Sequence, residues 1–231
     1  MKFLSIVFLS IWMFFALGCR DSQATKIDSE NAKNLGEQDV LENNHDEDDI
    51  HSNVGRAIWQ KPGLVIEKLG DISDKTIADI GAGTGYFSLR LSKKAKKVIA
   101  IEIEPTLINY IDSSKVSLPD SLKSRLETRL ALPDNPKLVK DEVDIVLIIN
   151  TVAYIEDLPK YLNTLKQGLK KGGKVMIIDY KMKRLPINAP PKSERIYLDV
   201  IEDMMVDAGY EVIQTDDTSL DFQYIIQAIK I

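Results

Sequence analysis

Apolar residues in this 231-residue chain fall into runs of two periods, separated by polar stretches. Near-continuous runs rich in Val, Ile and Leu occur at residues 76–80, 97–102, 143–150 and 174–180. Such runs predict strands buried on both faces. A further run, 126–130, contains Glu127 and Arg129 and is the least apolar of the set. Between these runs the spacing becomes helical. Over residues 157–170, Leu158, Tyr161, Leu162, Leu165 and Leu169 share one stripe, opened by Asp157 and closed by Gly172-Gly173. Looser patterns predict helices at 54–69 (interrupted by Pro62), 86–93, 106–113 and 193–208. Two last runs, 210–214 and 222–230, predict a closing antiparallel pair. Strand and helix alternating in this way predict an α/β fold with a doubly wound sheet.

The first 50 residues follow neither period. Lys2 is followed by an apolar run from Phe3 to Leu17, broken only by Ser5 and Ser10. At about 15 residues it is short of the ~20 that span a bilayer comfortably, and it suits the apolar core of a signal peptide. It ends in Ala16-Leu17-Gly18-Cys19, which contains the only cysteine. That ending resembles a bacterial lipobox, although the leucine preferred three residues before the cysteine is replaced by Ala16. The resemblance implies residues 1–19 as a signal peptide, lipidation at Cys19 and membrane anchorage. An uncleaved anchor is the alternative, and it would leave the domain facing the cytoplasm. Residues 20–50 are polar and acidic and predict a disordered linker that buries too little apolar surface to order itself. Residues 51–231 then form the folded domain.

Charge narrows the choice of partners. Residues 20–53 hold ten acidic and three basic residues, so the whole-chain charge of −5 leaves the domain close to neutral. Nothing in that balance asks for nucleic acid. Both histidines, His45 and His51, lie outside the strand-helix pattern, as does Cys19. A domain built without them offers no zinc site, thiol nucleophile or Ser-His-Asp triad. The run Asp46-Glu47-Asp48-Asp49 lacks the intervening glycine of a calcium loop and is a solvated charge run.

The chemistry concentrates between Ile77 and Phe87, Ile-Ala-Asp-Ile-Gly-Ala-Gly-Thr-Gly-Tyr-Phe. A buried strand, a turn almost without side chains and a helix start let a ligand approach backbone, and the helix start favours negative charge. A dinucleotide fingerprint would need glycine at position 86, where Tyr86 stands. The Asp79-x-Gly81-x-Gly83-x-Gly85 spacing instead resembles motif I of the class I S-adenosylmethionine-dependent methyltransferases. Arg56-Ala-Ile-Trp59-Gln60-Lys-Pro62 resembles a sequence preceding that motif in one bacterial group of them. Residues 143–150 resemble motif IV, and the helix over 157–170, the Leu-Lys-Lys-Gly-Gly turn and the strand 174–180 together resemble the run before motif VI.

The resemblance implies a Rossmann-like sheet of seven strands in the order 3-2-1-4-5-7-6, and S-adenosylmethionine as cofactor. It places Asp79, Gly81, Ala82, Gly83 and Gly85 in the cofactor cradle, with Glu102 accepting the ribose hydroxyls. Glu104, two residues on, is better explained as a helix-start acid. Asp134 is the candidate acceptor for the adenine amino group, with ordinary turn chemistry before Asn135-Pro136 as the alternative. Asn150 ends the fourth strand, where ligands sit. A His-His pair common in the group is absent, with Val152-Ala153-Tyr154-Ile155 in its place. The catalytic residues stay open, with Asp179, Tyr154 and Tyr180 near the predicted sheet edge. The expected function is methyl transfer to a small-molecule or lipid-like acceptor. The alternative is a membrane-anchored lipoprotein that uses the same fold to bind without catalysis, since S-adenosylmethionine is made in the cytoplasm.

Overall fold

The computed structural model describes residues 55–231, so the apolar leader, Cys19 and the whole acidic tract lie outside the described residues. Seven strands form one sheet: β1 (Thr76–Ile80), β2 (Lys97–Glu102), β3 (Leu126–Leu130), β4 (Val143–Ile149), β5 (Leu169–Tyr180), β6 (Tyr210–Asp216) and β7 (Gln223–Lys230). Their order is β3-β2-β1-β4-β5-β7-β6. The first five are mutually parallel, and β7 runs antiparallel to both β5 and β6. The expected topology is the observed one.

Helices cover both faces: α1 (Pro62–Lys68), α2 (Tyr86–Ser92), α3 (Pro105–Val116), α4 (Asp120–Lys123), α5 (Leu158–Gly168) and α6 (Leu198–Asp207). The near-continuous apolar runs follow from this two-sided cover. Alternate residues of β4 enter opposite cores, Val146 and Ile148 beside Leu162 and Leu165 of α5, Ile145 and Leu147 beside Phe87 and Leu91 of α2. A strand with helices on both sides has no solvent face to encode. Among the described residues, no helix is long and apolar enough to cross a membrane.

Several boundaries differ from the sequence pattern, and three of them have a clear packing reason. β5 begins at Leu169, ahead of the expected Lys174, because Leu169 is fully buried and pairs with Val143 before the register shifts. α5 therefore stops at Gly168, where an added Cβ would lie 2.4 Å from the Leu138 side chain. The last helix begins at Leu198 and not near 193, because the preceding segment is held as a loop. The Arg195 guanidinium donates to the carbonyls of Pro190, Lys181 and Lys183 at 2.7–3.0 Å. The short α4 lies in a stretch between α3 and β3 to which the sequence pattern assigned no element.

Parallel strands point their carboxyl ends the same way, so the residues following β1, β2, β4 and β5 share one edge of the sheet. Gly81, Glu102, Asn150 and Asp179 all lie there.

Candidate active site

The three glycines after β1 do three different things. Gly81, Gly83 and Gly85 all have positive φ, at 68°, 57° and 83°. A Cβ on Gly81 would meet Thr151 Oγ1 at 2.4 Å and Cγ2 at 2.5 Å, so its missing side chain is filled by protein. The missing Cβ of Gly81 makes room for Thr151, while Gly81 itself lines the cavity at this edge. Gly85 caps α2 in the left-handed conformation, and a Cβ there would press on Ile111 at 3.1 Å. Only Gly83 faces open space. Ala82 is buried, its N–H donating to the Ile101 carbonyl of β2 at 3.1 Å.

Glu102, at the end of β2, closes on this turn. Its Oε2 accepts from the Gly83 N–H at 2.9 Å, and its Oε1 accepts from Ile103 N–H at 2.7 Å and Glu104 N–H at 3.3 Å. A carboxylate has about four lone-pair sites, so acceptor capacity remains on Oε2. Glu104 is exposed and stands at the N-cap position of α3 without a side-chain capping bond. The helix start is also less free than the pattern implied, since the Gly83 donor already meets a carboxylate.

A cavity of about 270 Å³ opens at this edge, and Gly81, Glu102, Leu132, Pro133, Asn150 and Tyr154 are among the residues that line it. Glu102 and Asn150 therefore meet around one space. Asp134 does not join them: it is exposed and absent from the lining, while its neighbours Leu132 and Pro133 present apolar surface. A bridge pairing Leu132 with Asn135 forms a tight turn there.

Asp79 lies beneath the turn, 3% exposed, and its Oδ2 accepts from Ser88 Oγ at 2.6 Å. Burial pushes its carboxyl up to about 6, against the opposing pull of the Ser88 hydrogen bond. It braces β1 to α2 and is absent from the cavity lining. Asp179 is equally buried at the end of β5. Its Oδ1 accepts from the Tyr180 N–H at 2.7 Å, but its Oδ2 has no partner, and burial raises its pKa to about 6.

Residues 55–60 form a helical turn laid over this edge. Trp59 packs with its ring centroid 6.0 Å from that of Tyr180 and 6.3 Å from that of Phe222. The Arg56 guanidinium sits 4.4 Å above the Tyr86 ring. Its Nε donates to Gln60 Oε1 at 2.5 Å, and Gln60 Nε2 donates to Gln223 Oε1 at 3.0 Å. Gln223 Nε2 in turn donates to Asn150 Oδ1. Gln223 had no signal in the sequence, because only folding brings β7 against residue 60.

A family model described as a methyltransferase domain matches residues 71–227. The chain belongs to the methyltransferase domain family. Curated relatives match over shorter stretches. A ribosomal RNA small subunit methyltransferase A from Koribacter versatilis is 49% identical over 74 residues, 29% of this chain and 26% of that protein. A tRNA U34 carboxymethyltransferase from Ruthia magnifica is 29% identical over 53% of this chain and 37% of its own length. The chain thus spans well under half of these relatives. Among solved structures, a SAM-dependent methyltransferase from Aquifex aeolicus matches with a TM-score of 0.71 at 23% identity, over 89% of this chain and 100% of that one. The [4+2]-cyclase SpnF matches at 0.65 with 14% identity over 76% of this chain and 81% of that one. These likenesses share the fold, and the second shows that the fold is used by a protein named for another chemistry.

The methyltransferase cofactor, S-adenosylmethionine, fits the residues present. Gly83 leaves its Cβ direction open, Glu102 keeps a lone pair beside it, and Leu132 and Pro133 supply an apolar wall for a flat base.

Proposed function

We propose that this protein is an S-adenosylmethionine-dependent methyltransferase acting on a small-molecule or lipid-like acceptor. The observation that carries the reading is Glu102 on the cavity wall with its Oε2 held by the Gly83 N–H of the glycine turn. Glu102 would take the ribose hydroxyls, Gly83 would admit the ligand chain past its bare Cα, and Leu132 and Pro133 would flank the base. When bound, the cofactor supplies an activated methyl group on a sulfonium, transferred in line to the acceptor's nucleophile. The protein's own part is alignment and exclusion of water, which is proximity catalysis. Gly81 and Thr151 hold the turn rigid, and Asp79 ties it to Ser88. Asp179, with its Oδ2 unpartnered and its pKa raised by burial to about 6, lies outside the cavity lining, so no general base is assigned to it.

The near-neutral charge of residues 54–231 and the Trp59–Tyr180–Phe222 aromatic group support a small or lipid-like acceptor over a polyanion. Relatives named for ribosomal RNA and tRNA stand on the other side. The non-catalytic alternative gains no observation from the described residues. Lipid attachment at Cys19 and membrane anchorage remain a proposal resting on the sequence.

Titration of the purified full chain with S-adenosylmethionine by calorimetry tests the cofactor reading. Wild type should bind, and Glu102→Ala should bind more weakly by about 2–4 kcal/mol, the worth of two charge-assisted bonds less what water returns. No heat in the wild type overturns the reading. Methyl-labelled cofactor, offered with a lipid and small-molecule extract or with total RNA, then tests the acceptor. Label in the RNA alone removes the small-acceptor reading.

A further inference from the structure

The chain of side chains from Arg56 to Asn150 has a direction. An arginine has donors and no acceptor, whereas each amide has one oxygen and one nitrogen whose positions the hydrogen-bond network decides. Arg56 Nε therefore forces Gln60 to show it Oε1. That leaves Gln60 Nε2 for Gln223 Oε1, at 3.0 Å. Gln223 must then show Nε2 to Asn150, whose Oδ1 accepts. Gln60 and Gln223 are both fully buried, so neither amide can exchange these partners for water. At the end, Asn150 sits on the cavity wall in the left-handed conformation, φ 57°, with its amide oxygen consumed. Among the described residues nothing accepts from its Nδ2.

We propose that Arg56, Gln60 and Gln223 are positioning residues that lock Asn150 as a donor toward the cavity, where its Nδ2 binds the carboxylate of the cofactor's amino-acid end. The carboxylate assignment rests on the S-adenosylmethionine reading, and the polarity of the relay does not. A cation some three side chains away thus fixes whether this wall offers a donor or an acceptor. It also makes the helical turn at residues 55–60 part of the site, although this turn contributes no lining residue to the cavity.

Gln60→Glu tests the relay because it inverts it. The new carboxylate still satisfies Arg56, so the buried charge is paired, but it can only accept from Gln223. Gln223 must then turn its nitrogen to position 60 and its oxygen to Asn150, and Asn150 must turn Nδ2 inward and Oδ1 to the cavity. In nitrogen-15-labelled full chain, the Asn150 side-chain amide is assigned by its loss in Asn150→Asp. Its protons should exchange with water freely in the wild type and at least tenfold more slowly in Gln60→Glu. Unchanged exchange in a variant that still melts cooperatively overturns the relay. Should Gln60→Glu fail to fold, Gln223→Glu imposes the same inversion from β7 and decides the same question.

Binding to two probes tests the ligand half. S-adenosylhomocysteine carries the carboxylate, and 5′-methylthioadenosine lacks it. Gln60→Glu should weaken the first roughly tenfold to a hundredfold, the worth of a charge-assisted bond replaced by oxygen facing oxygen, and leave the second unchanged. Equal effects on both probes overturn the carboxylate assignment. Slowed exchange in a protein that binds neither probe would instead overturn the cofactor reading and leave the relay's polarity standing.

Discussion

At the scale of single residues, the turn after β1 separates two roles that the sequence pattern merges. Gly81→Ala puts a Cβ 2.4 Å from Thr151 Oγ1 at φ 68°. It should cost on the order of 2–4 kcal/mol, the left-handed penalty plus overpacking, and Thr151→Ala in the same chain should restore part of it. Gly83→Val places its Cβ where no protein atom lies within 4 Å and should cost only about 1–2 kcal/mol, mostly backbone strain, yet lose cofactor binding. Urea midpoints and calorimetry check the pair; normal binding by Gly83→Val would show that the turn is only a bend. Asp179 gives a residue-scale prediction of opposite sign. Its folded pKa of about 6 lies above the unfolded value near 3.8, so the native state binds the extra proton and stability falls as pH rises from 3.8 to 6. Asp179→Asn should therefore be more stable than wild type at pH 8 by on the order of 2–3 kcal/mol, and no more stable below about pH 3.8. Denaturation of both proteins at the two pH values is the measurement, and a pH-independent difference would remove burial of the charge as the cause.

At the scale of elements, strands β1, β2 and β3 were legible to the residue, since short apolar runs bounded by polar turns leave little room for a shifted end. β5 was not, because Leu169 fits the stripe of α5 as well as it fits the core beside Val143, and only packing against Leu138 decides between them. The weak apolar character of β3 also has a structural reason. It is an edge strand, and Arg129 grips Glu142 through Nη1 and Nη2 at 2.8 and 2.7 Å while Nε reaches Glu127 at 3.1 Å. Charges on an edge also discourage pairing with another sheet. Those Arg129 hydrogen bonds hold the Glu142 carboxyl below its ordinary range. A depressed carboxylate stabilises above its unfolded pKa and loses that contribution as pH falls through the folded one. Arg129→Met should destabilise by about 2 kcal/mol at pH 7, with a deficit that shrinks in acid below the usual glutamate range near pH 4. Urea melts at pH 7 and 3.5 decide this, and a deficit as large in acid as at pH 7 would mean lost packing alone. The site was legible in part for similar reasons. Glu102 and the glycines are local to one strand end, whereas Gln223 meets Gln60 across 163 residues of sequence and carries no motif.

At the scale of the whole molecule, the question is where a methyltransferase domain meets its acceptor. The chain joins a methyltransferase domain, whose cofactor is cytoplasmic, to an N-terminal run that resembles an export signal ending at Cys19. Lipidation at Cys19 predicts a protein that partitions with membranes and whose acceptor is met at a membrane surface. Full-length protein expressed in a bacterium with labelled palmitate should incorporate label, and Cys19→Ser should incorporate none. Equal label in both, or label in neither, would remove lipidation and leave a plain N-terminal anchor. Partitioning then discriminates further: an uncleaved anchor keeps the Cys19→Ser protein in the membrane fraction at its full length, with the domain exposed to protease only after the cytoplasm is opened. That outcome would reconcile the compartment with the cofactor, because the intact Gly83–Glu102 contact needs a supply of S-adenosylmethionine to act on anything.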